Sequence, residues 1–202
     1  DALAVVSAAG NVKVSDANIT VTEAVTINNS SNTGTTSYAL DDATATMLAA
    51  SNSTVAGATA ASVGGATVTA AQAASLVAKY TAAVFSDGAL VISDTAANLA
   101  AMSAEVAAEA NSITVSAGTA TVAEAVALYA FAATDVSTVN ISDTIANLTA
   151  AASDATNLAI IKAQNAIAIS DATSVEQVVA LDALLAGGGG VTAVSVGYTL
   201  TD

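Results

Sequence analysis

The hydrophobic pattern changes from a strand period to a helix period within the stretch 139–148. Val139 and Ile141 alternate with polar residues, which predicts a short half-buried strand. Asp143 then occupies the position expected for a helix N-cap, where a carboxylate can accept from the free amides of the next turn. The apolar residues that follow recur at helical spacing and include Leu148, which we expect to be buried. The stretch therefore predicts a strand, a turn and a helix with one apolar face.

Nearly the same residues occur at 91–99, so the chain contains a repeat. The aspartates of the two copies, Asp94 and Asp143, are 49 residues apart, and Asp42 precedes Asp94 by 52 residues. We call these strand–helix segments the aspartate units. The leucine five residues after the aspartate, Leu99 in this copy, should be buried like its counterpart.

A second signature, Thr/Ser-x-x-Glu/Gln before an apolar run, alternates with the first. It occurs at 20–23, 69–72, 121–124 and 174–177, and its last members are separated by 49, 52 and 53 residues. In such a capping box the hydroxyl and the carboxylate or amide satisfy two free helix-terminal amides reciprocally. We call these segments the capping-box units. Their predicted apolar faces include Ala73, Leu76, Val77 and Tyr80 in one copy, and Val122, Ala125, Val126 and Tyr129 in another.

A predicted strand precedes almost every one of these helices. The clear strands fall near 12–15, 38–41, 89–93, 112–116, 138–142, 166–170 and 191–200, and a less clear one falls near 62–68. A strand–helix unit thus recurs about every 25 residues, and the double unit about every 50. The repeat crosses every candidate linker, so we predict a single repeat domain over residues 1–202.

Strand–helix units in tandem predict parallel strands, because each helix returns the chain to the starting edge of the sheet. Such crossovers are almost always right-handed. Helices need about 10 Å each and strands about 4.8 Å, so a sheet with all helices on one face must curve. The sequence therefore predicts an α/β fold, a right-handed parallel β/α solenoid of about eight strand–helix units. A flat sheet with helices on alternating faces is the second alternative, although it would need left-handed crossovers.

Composition limits the chemistry of this repeat. Hydrophobic residues make up 54% of the chain and aromatic residues 3%, so Ala, Val, Leu and Ile must form the core. Three lysines face 17 carboxylates, for a formal net charge of −14, which excludes a phosphate-binding surface for nucleic acid. The chain lacks Cys and His, which removes the usual zinc ligands, the thiol nucleophile and the imidazole base. We predict that the protein is not an enzyme.

The mean hydropathy of +0.66 does not indicate a membrane protein, because polar residues interrupt every run before about 18 apolar residues. We predict a protein that does not span the membrane and whose hydropathy comes from buried Ala and Val. An acidic, cysteine-free chain suits an extracellular or cell-surface location. The sequence starts at Asp1, which is typical of a chain whose leader has been removed or of a segment of a longer polypeptide.

The alternation of Ile-Ser-Asp-Thr-Ala-Ala-Asn-Leu at 92–99 with Thr-Val-Thr-Ala-Ala-Gln-Ala-Ala at 67–74 resembles repeats of very large secreted bacterial proteins. Those are Ala/Thr/Val-rich surface proteins of the adhesin and S-layer-like kind. The resemblance is clearest over about 62–185, and it implies an extracellular location, a structural or adhesive role and no catalytic residues. The Gly-Gly-x-Gly-x-Asp nonapeptides of calcium-loaded toxin repeats do not occur, so calcium binding is not implied by that route.

Two kinds of ligand remain as alternatives. The aspartates at strand-to-helix turns, Asp94, Asp143, Asp171 and Asp16, could form a column that holds calcium through oxygen ligands. The simpler interpretation is that each aspartate caps its own helix. The polar loop 28–36 is the segment we expect to contact a surface glycan, if the protein is a binding module.

These patterns predict a structural subunit of a bacterial extracellular assembly, a filament, sheath or S-layer-like coat, formed by self-assembly of copies in a head-to-tail array. The alternative is a passenger or binding segment of a giant secreted adhesin. The chain closes on Tyr198-Thr-Leu-Thr-Asp202, a strand and an aspartate without a helix, and opens on the helix-like run 1–10. We expect residues 1–10 of one module to pack beside residues 191–202 of its neighbour.

Overall fold

Short strands and short helices alternate along the computed structural model, which describes residues 10–14, 18–30, 34–81, 85, 90–131, 135–171 and 174–186. The strands described are β1 (Val12–Lys13), β2 (Thr36–Asp41), β3 (Ala58–Ser62), β4 (Thr67–Val68), β5 (Leu90–Asp94), β6 (Ala110–Val115), β7 (Asp135–Val136), β8 (Asn140–Asp143) and β9 (Ala166–Ile169). The helices described are α1 (Val21–Asn28), α2 (Thr44–Ala49), α3 (Asn52–Gly57), α4 (Ala70–Tyr80), α5 (Ala96–Ala100), α6 (Ala104–Ala108), α7 (Val122–Tyr129), α8 (Ile145–Ala152), α9 (Ala155–Lys162) and α10 (Val175–Ala186). The predicted α/β fold class is therefore confirmed. The predicted strand 191–200 lies outside the described residues.

The strands pair in parallel, as the tandem units predict. Strands β1-β2-β3, β4-β5-β6-β7 and β8-β9 form three sheets in those orders, so neighbours in each sheet are also neighbours in sequence. The pairs β1–β2, β2–β3, β4–β5 and β8–β9 are parallel, and Asn140 to Asp143 lie opposite Ala166 to Ile169 without interruption. The helical segment between two paired strands therefore carries the chain back to the edge of the sheet at which the previous strand began.

The aspartate units differ from the prediction, because each contains two short helices where one was predicted. The breaks fall between α2 and α3, between α5 and α6, and between α8 and α9. Ser51, Ser103 and Asp154 cap the second helix of each pair, accepting from backbone amides two or three residues ahead. A short polar side chain offers these amides an alternative to the helix ladder, and this ends the first helix.

The stretch 51–68 differs only in part from the prediction, because its small polar residues predict a poorly formed helix over 51–61 and a less clear strand near 62–68. It holds helix α3 and strands β3 and β4. Gly64 and Gly65 form the turn between the strands, and both have positive φ, 63° and 73°, which is why glycine occurs there. The single, less clear strand predicted near 62–68 is therefore two strands, and the two glycines form the turn that separates them.

Buried positions repeat in both kinds of unit. Leu99 and Leu148 are 0% exposed, which confirms the prediction for both leucines. The face predicted for α4 is buried throughout, and Tyr80 donates its hydroxyl to the carbonyl of Met47 at 3.0 Å. Burial raises the pKa of Tyr80 to about 12.

Two predictions about burial are wrong. In α7 the buried residues are Val122, Ala125 and Leu128, whereas Val126 and Tyr129 of the predicted face are only half-buried. Glu105 and Glu109 are four residues apart, and this spacing of like charges predicts a solvated helix face. Glu109 is instead 4% exposed, because α6 ends at Ala108 and β6 begins at Ala110.

The chain forms two compact bodies in the described part. One comprises the residues up to Ile92 together with Ser103–Ser112, and the other comprises Ser93–Met102 and the residues from Ile113 onwards. The single repeat domain over 1–202 stays a prediction. Among the described residues, no helix combines the length and the apolar character needed to cross a membrane.

Candidate functional site

All four predicted capping boxes are present at the starts of α1, α4, α7 and α10. In α7 the Thr121 hydroxyl oxygen accepts from the Glu124 amide at 3.2 Å, and the Glu124 carboxylate accepts from the Thr121 amide at 2.7 Å. The fourth box uses Ser174 and Gln177 in the same way. In α1 the backbone amide of Thr20 holds the pKa of Glu23 below its ordinary value. Each helix start thus satisfies two amides from its own sequence.

The helices that follow the aspartates begin differently from the prediction. The N-caps are Thr95 and Thr144, one residue after the predicted Asp94 and Asp143. The aspartate accepts from the amide of the cap residue itself, at 2.8 Å in both units. It also accepts from an asparagine amide group in the first turn of the helix, at 2.8 Å from Asn98 and at 2.7 Å in the other unit. The predicted N-cap was wrong by one residue. The threonine hydroxyl oxygen accepts from the third helical amide, so the aspartate carboxylate accepts from the threonine's own amide.

The second carboxylate oxygen of Asp143, and likewise that of Asp42, accepts from a helix of the preceding unit. Oδ2 of Asp143 accepts from the Val122 amide at 3.0 Å, and Oδ2 of Asp42 accepts from the Val21 amide at 3.1 Å. In both cases the donor is the first residue of a capping-box helix, 21 residues earlier in the chain. This amide is one of the donors that a helix cannot satisfy internally. The aspartate therefore joins two successive strand–helix units.

A third carboxylate makes the equivalent bond between units of the reverse order, an aspartate unit followed by a capping-box unit. Asp171 Oδ1 accepts from the Ile145 amide at 2.9 Å, and Ile145 is the first residue of α8. Here a residue that leads into a capping-box unit completes the helix of an aspartate unit. Carboxylates of both kinds of unit thus accept from the first helical amide of the preceding unit.

Parallel pairing sets this register. Ile19 pairs with Leu40 and Ala120 pairs with Ile141, each as a parallel bridge directly before a threonine cap. Backbone bonds of 2.8–3.0 Å flank both bridges. Two residues after the bridge, the later segment of the chain reaches its aspartate and the earlier segment begins its helix. The carboxylate and the free amide consequently meet at the carboxyl edge of the sheet.

The geometry gives the calcium alternative no support at these positions. Asp143 is 6% exposed, and its two oxygens already accept from three N–H groups. In the described part of the chain, no group of three or more acidic, histidine or cysteine side chains is placed to hold a metal ion. Asp16, the fourth predicted member of the column, lies outside the described residues. Calcium binding stays a prediction.

The predicted glycan-contact loop 28–36 is described only in part, without residues 31–33. Its first residue, Asn28, donates to the Tyr38 hydroxyl at 2.9 Å and accepts from the Thr36 hydroxyl at 2.7 Å. Tyr38 in turn donates to the carbonyl of Thr54 at 2.8 Å. These polar groups are used within the fold, so glycan binding by this loop stays a prediction.

A cleft of about 440 Å³ opens beside Asp143 in the second body. It is lined by Val122, Ala123, Val126, Asp143, Asn147, Ala150, Ala151 and Asn157. Alanine and valine methyl groups form most of its wall, and the carboxylate within it is held by the bonds described above.

The aspartate bonds are the feature that sequence reasoning missed. A signal was present, because Asp42 and Asp143 each follow a capping-box threonine by 22 residues. That spacing relates two different units, whereas N-cap prediction considers one helix at a time.

Comparisons with protein-family models, with curated proteins and with solved structures found no match.

Proposed function

We propose that the protein is a structural subunit of a bacterial extracellular assembly, a fibre, sheath or S-layer-like coat. Its strand–helix units would stack head-to-tail as a right-handed parallel β/α solenoid. The observation that carries the proposal is a repeated hydrogen bond between units. In it the carboxylate of Asp42, Asp143 or Asp171 accepts from the first helical amide of the preceding unit. Repetition of one arrangement of atoms along the chain is how stacked modules gain stability from their neighbours.

The same bonds make each unit dependent on the next one. At α1, α7 and α8, the first helical amide gains its acceptor only when the following unit brings its carboxylate to it. The last unit of any array therefore leaves one amide and one strand edge open, and an open edge favours pairing with another chain. A second copy of this protein would satisfy both groups, and this supports copies of itself as the partner.

The order of strands in the sheets supports a solenoid. Within each of the three sheets, every strand lies beside its neighbour in sequence, so each crossover inside a sheet moves one position along it. Alanines that are 0% exposed, Ala24, Ala73 and Ala125, occupy the same position in three capping-box helices. Side chains this small allow helices to approach closely, and close packing of similar layers is what a stacked array requires.

Charge and composition support an external location. With 17 carboxylates against three lysines, such subunits would carry a high net negative charge, which favours solubility before assembly. The chain contains no cysteine, so its stability does not depend on the redox state of the compartment. We therefore place the assembly at the cell surface or in the extracellular medium.

Electron microscopy and sedimentation velocity of the purified chain over a concentration series test this function. The proposal predicts ordered filaments or sheets whose amount grows with concentration. Removal of residues 1–10 should leave a folded monomer, and replacement of the same residues by a Gly/Ser sequence of equal length is the matched control. A full-length chain that stays monomeric at every concentration and binds a surface glycan would contradict the proposal and favour the adhesin alternative.

A further inference from the structure

The pairing of β2 with β3 shifts by one residue at Tyr38. Tyr38 lies opposite Ala58 and Ala39 lies opposite Ala60, so Thr59 is an additional residue in β3. The Thr59 hydroxyl donates to the carbonyl of Tyr38 at 3.1 Å. An additional residue of this kind is a β-bulge, which exchanges the two faces of the strand beyond it. Strands β8 and β9 pair without such a shift, so the bulge distinguishes the first aspartate unit from the third.

Helix α3 leads directly into β3, because Gly57 is followed at once by Ala58. In the third aspartate unit, residues 163–165 separate α9 from β9. The chain can adjust there before the strand begins, whereas in the first unit the end of α3 decides where β3 starts. The bulge at Thr59 then returns the rest of β3 to regular pairing.

The side chain of Tyr38 holds the end of α3. Its hydroxyl donates to the carbonyl of Thr54 at 2.8 Å and accepts from the side-chain amide group of Asn28 at 2.9 Å. Tyr38 and Thr54 are each 1% exposed, and Asn28 is the last residue of α1. The hydroxyl therefore joins α1, β2 and α3 at a buried place, where a polar group left without a partner would be costly.

Gly57 leaves the space that the Tyr38 ring fills. A Cβ atom on Gly57 would lie 2.7 Å from both Cζ and the hydroxyl oxygen of Tyr38, which is too close for non-bonded atoms. Gly57 lacks the positive φ of the two glycines in the turn after β3, so space rather than backbone conformation accounts for this glycine. At the same distances from the aspartate, the second aspartate unit has Leu90 for the tyrosine and Glu109 for the glycine. A smaller strand residue thus accompanies a larger residue at the helix end.

We infer that Tyr38, Asn28 and Gly57 form a register lock for β3. The lock fixes the end of α3, so that Ala58 rather than Thr59 lies opposite Tyr38. The bulge is then a consequence of the lock, because pairing of Thr59 with Tyr38 would need no additional residue and would leave the rest of β3 in place. The lock acts within one chain, so it does not depend on assembly of copies.

NMR of the full chain, at a concentration where sedimentation shows monomer, tests the lock through backbone contacts between β2 and β3. In the wild type, nuclear Overhauser effects should connect residue 38 with Ala58. Tyr38→Phe keeps the ring and removes both hydrogen bonds, so a second set of signals that connects residue 38 with Thr59 should appear. Tyr80→Phe is the matched control, because it removes another buried hydroxyl, which donates to Met47, and it should keep a single set.

A double-mutant cycle measured by urea denaturation tests the fit between the ring and Gly57. Gly57→Ala should lower the equilibrium constant for folding about tenfold or more, because the added methyl group overlaps the Tyr38 ring. In the Tyr38→Leu background, which copies the second aspartate unit, the same change should lower it less than about threefold, because the overlapping ring is absent.

A single set of signals in Tyr38→Phe, with Ala58 still opposite residue 38, would show that the hydroxyl stabilises the fold without selecting the register, and it would overturn the inference. Equal costs of Gly57→Ala in the two backgrounds would overturn it as well, because the ring would then not be the group that requires glycine. Pairing of Thr59 with Tyr38 in the wild type would contradict the lock directly.

Discussion

Helices α7 and α8 follow one another in the chain but start in two different ways. Both have a threonine cap whose hydroxyl oxygen accepts from the third helical amide. In α7 that third residue is Glu124, which accepts from the amide of Thr121. In α8 the third residue is Asn147, whose side-chain NH2 group donates to Asp143. The Thr144 amide donates to Asp143 as well, so Asp143 takes the role that Glu124 has in α7.

This difference shows how a carboxylate that accepts from an amide of its own helix can also accept from an amide of another unit. The carboxylate of Glu124 serves only residues in its own helix turn. The carboxylate of Asp143, placed before the cap, serves its own helix and also the Val122 amide 21 residues earlier. The two helices also differ in core volume, because Ala125 and Leu148 occupy the same position after the cap and both are 0% exposed.

The largest effect should come from making the core of α8 resemble that of α7. Leu148→Ala should lower the free energy of unfolding by about 2–5 kcal/mol, because the residue is fully buried and its removal leaves a cavity. Leu99→Ala should cost about the same, and urea denaturation measures both. Leu184→Ala, at a residue 36% exposed, is the matched control and should cost much less. A loss below about half a kilocalorie for Leu148 would mean that the repeat alignment is wrong.

Removal of the carboxylate that joins units should have the next largest effect. Asp143→Ala leaves the Val122 and Thr144 amides without an acceptor, and we expect a loss of about 2–4 kcal/mol. Asp154→Ala removes an exposed cap of α9 and should cost only about 1 kcal/mol. Equal losses for the two variants in urea denaturation would show that the bond between units adds nothing.

The capping-box helix should respond less strongly to loss of its own cap. Thr121→Ala removes the acceptor for the Glu124 amide, which should lower the free energy of unfolding by about 1 kcal/mol. Thr121→Ser keeps the hydroxyl and should retain most of the stability. A serine variant as unstable as the alanine variant would show that the methyl group of threonine, rather than the hydrogen bond, stabilises α7.

The smallest effect concerns pH. The pKa of Glu23 is lowered in the folded state by the Thr20 amide and hydroxyl, so the folded protein favours the charged form. Its contribution is therefore present above the unfolded pKa, about 4.3, and is lost as pH falls through the lower folded pKa. The difference in unfolding free energy between wild type and Glu23→Gln should shrink over that acidic range. A difference independent of pH would exclude the carboxylate–amide bond.

Local features were predictable from the sequence because they depend on neighbouring residues. The four capping boxes, the parallel strands and the burial of Leu99 and Leu148 all follow from short-range spacing. The breaks at Ser103 and Asp154 were also encoded locally, in polar residues that the helical pattern concealed.

The contacts of Asp143 and the burial of Glu109 were not predictable in the same way. Asp143 reaches Val122 only because parallel pairing places Ala120 opposite Ile141, and register between strands is not a property of either strand alone. The spacing of Glu105 and Glu109 predicts a solvated face only for a helix that continues through Glu109, whereas α6 ends at Ala108. Long-range register and helix ends decided both cases.

Amide exchange in Asp143→Ala distinguishes a carboxylate that joins two units from one that serves a single helix, because the two backbone amides that bond to it belong to different units. We predict that the Val122 and Thr144 amides, 22 residues apart, both exchange faster in the variant. The Val21 amide, which bonds to Asp42, should keep its wild-type rate. Faster exchange at Thr144 alone would show that Asp143 serves only its own helix, and it would contradict the claim that aspartates join successive strand–helix units.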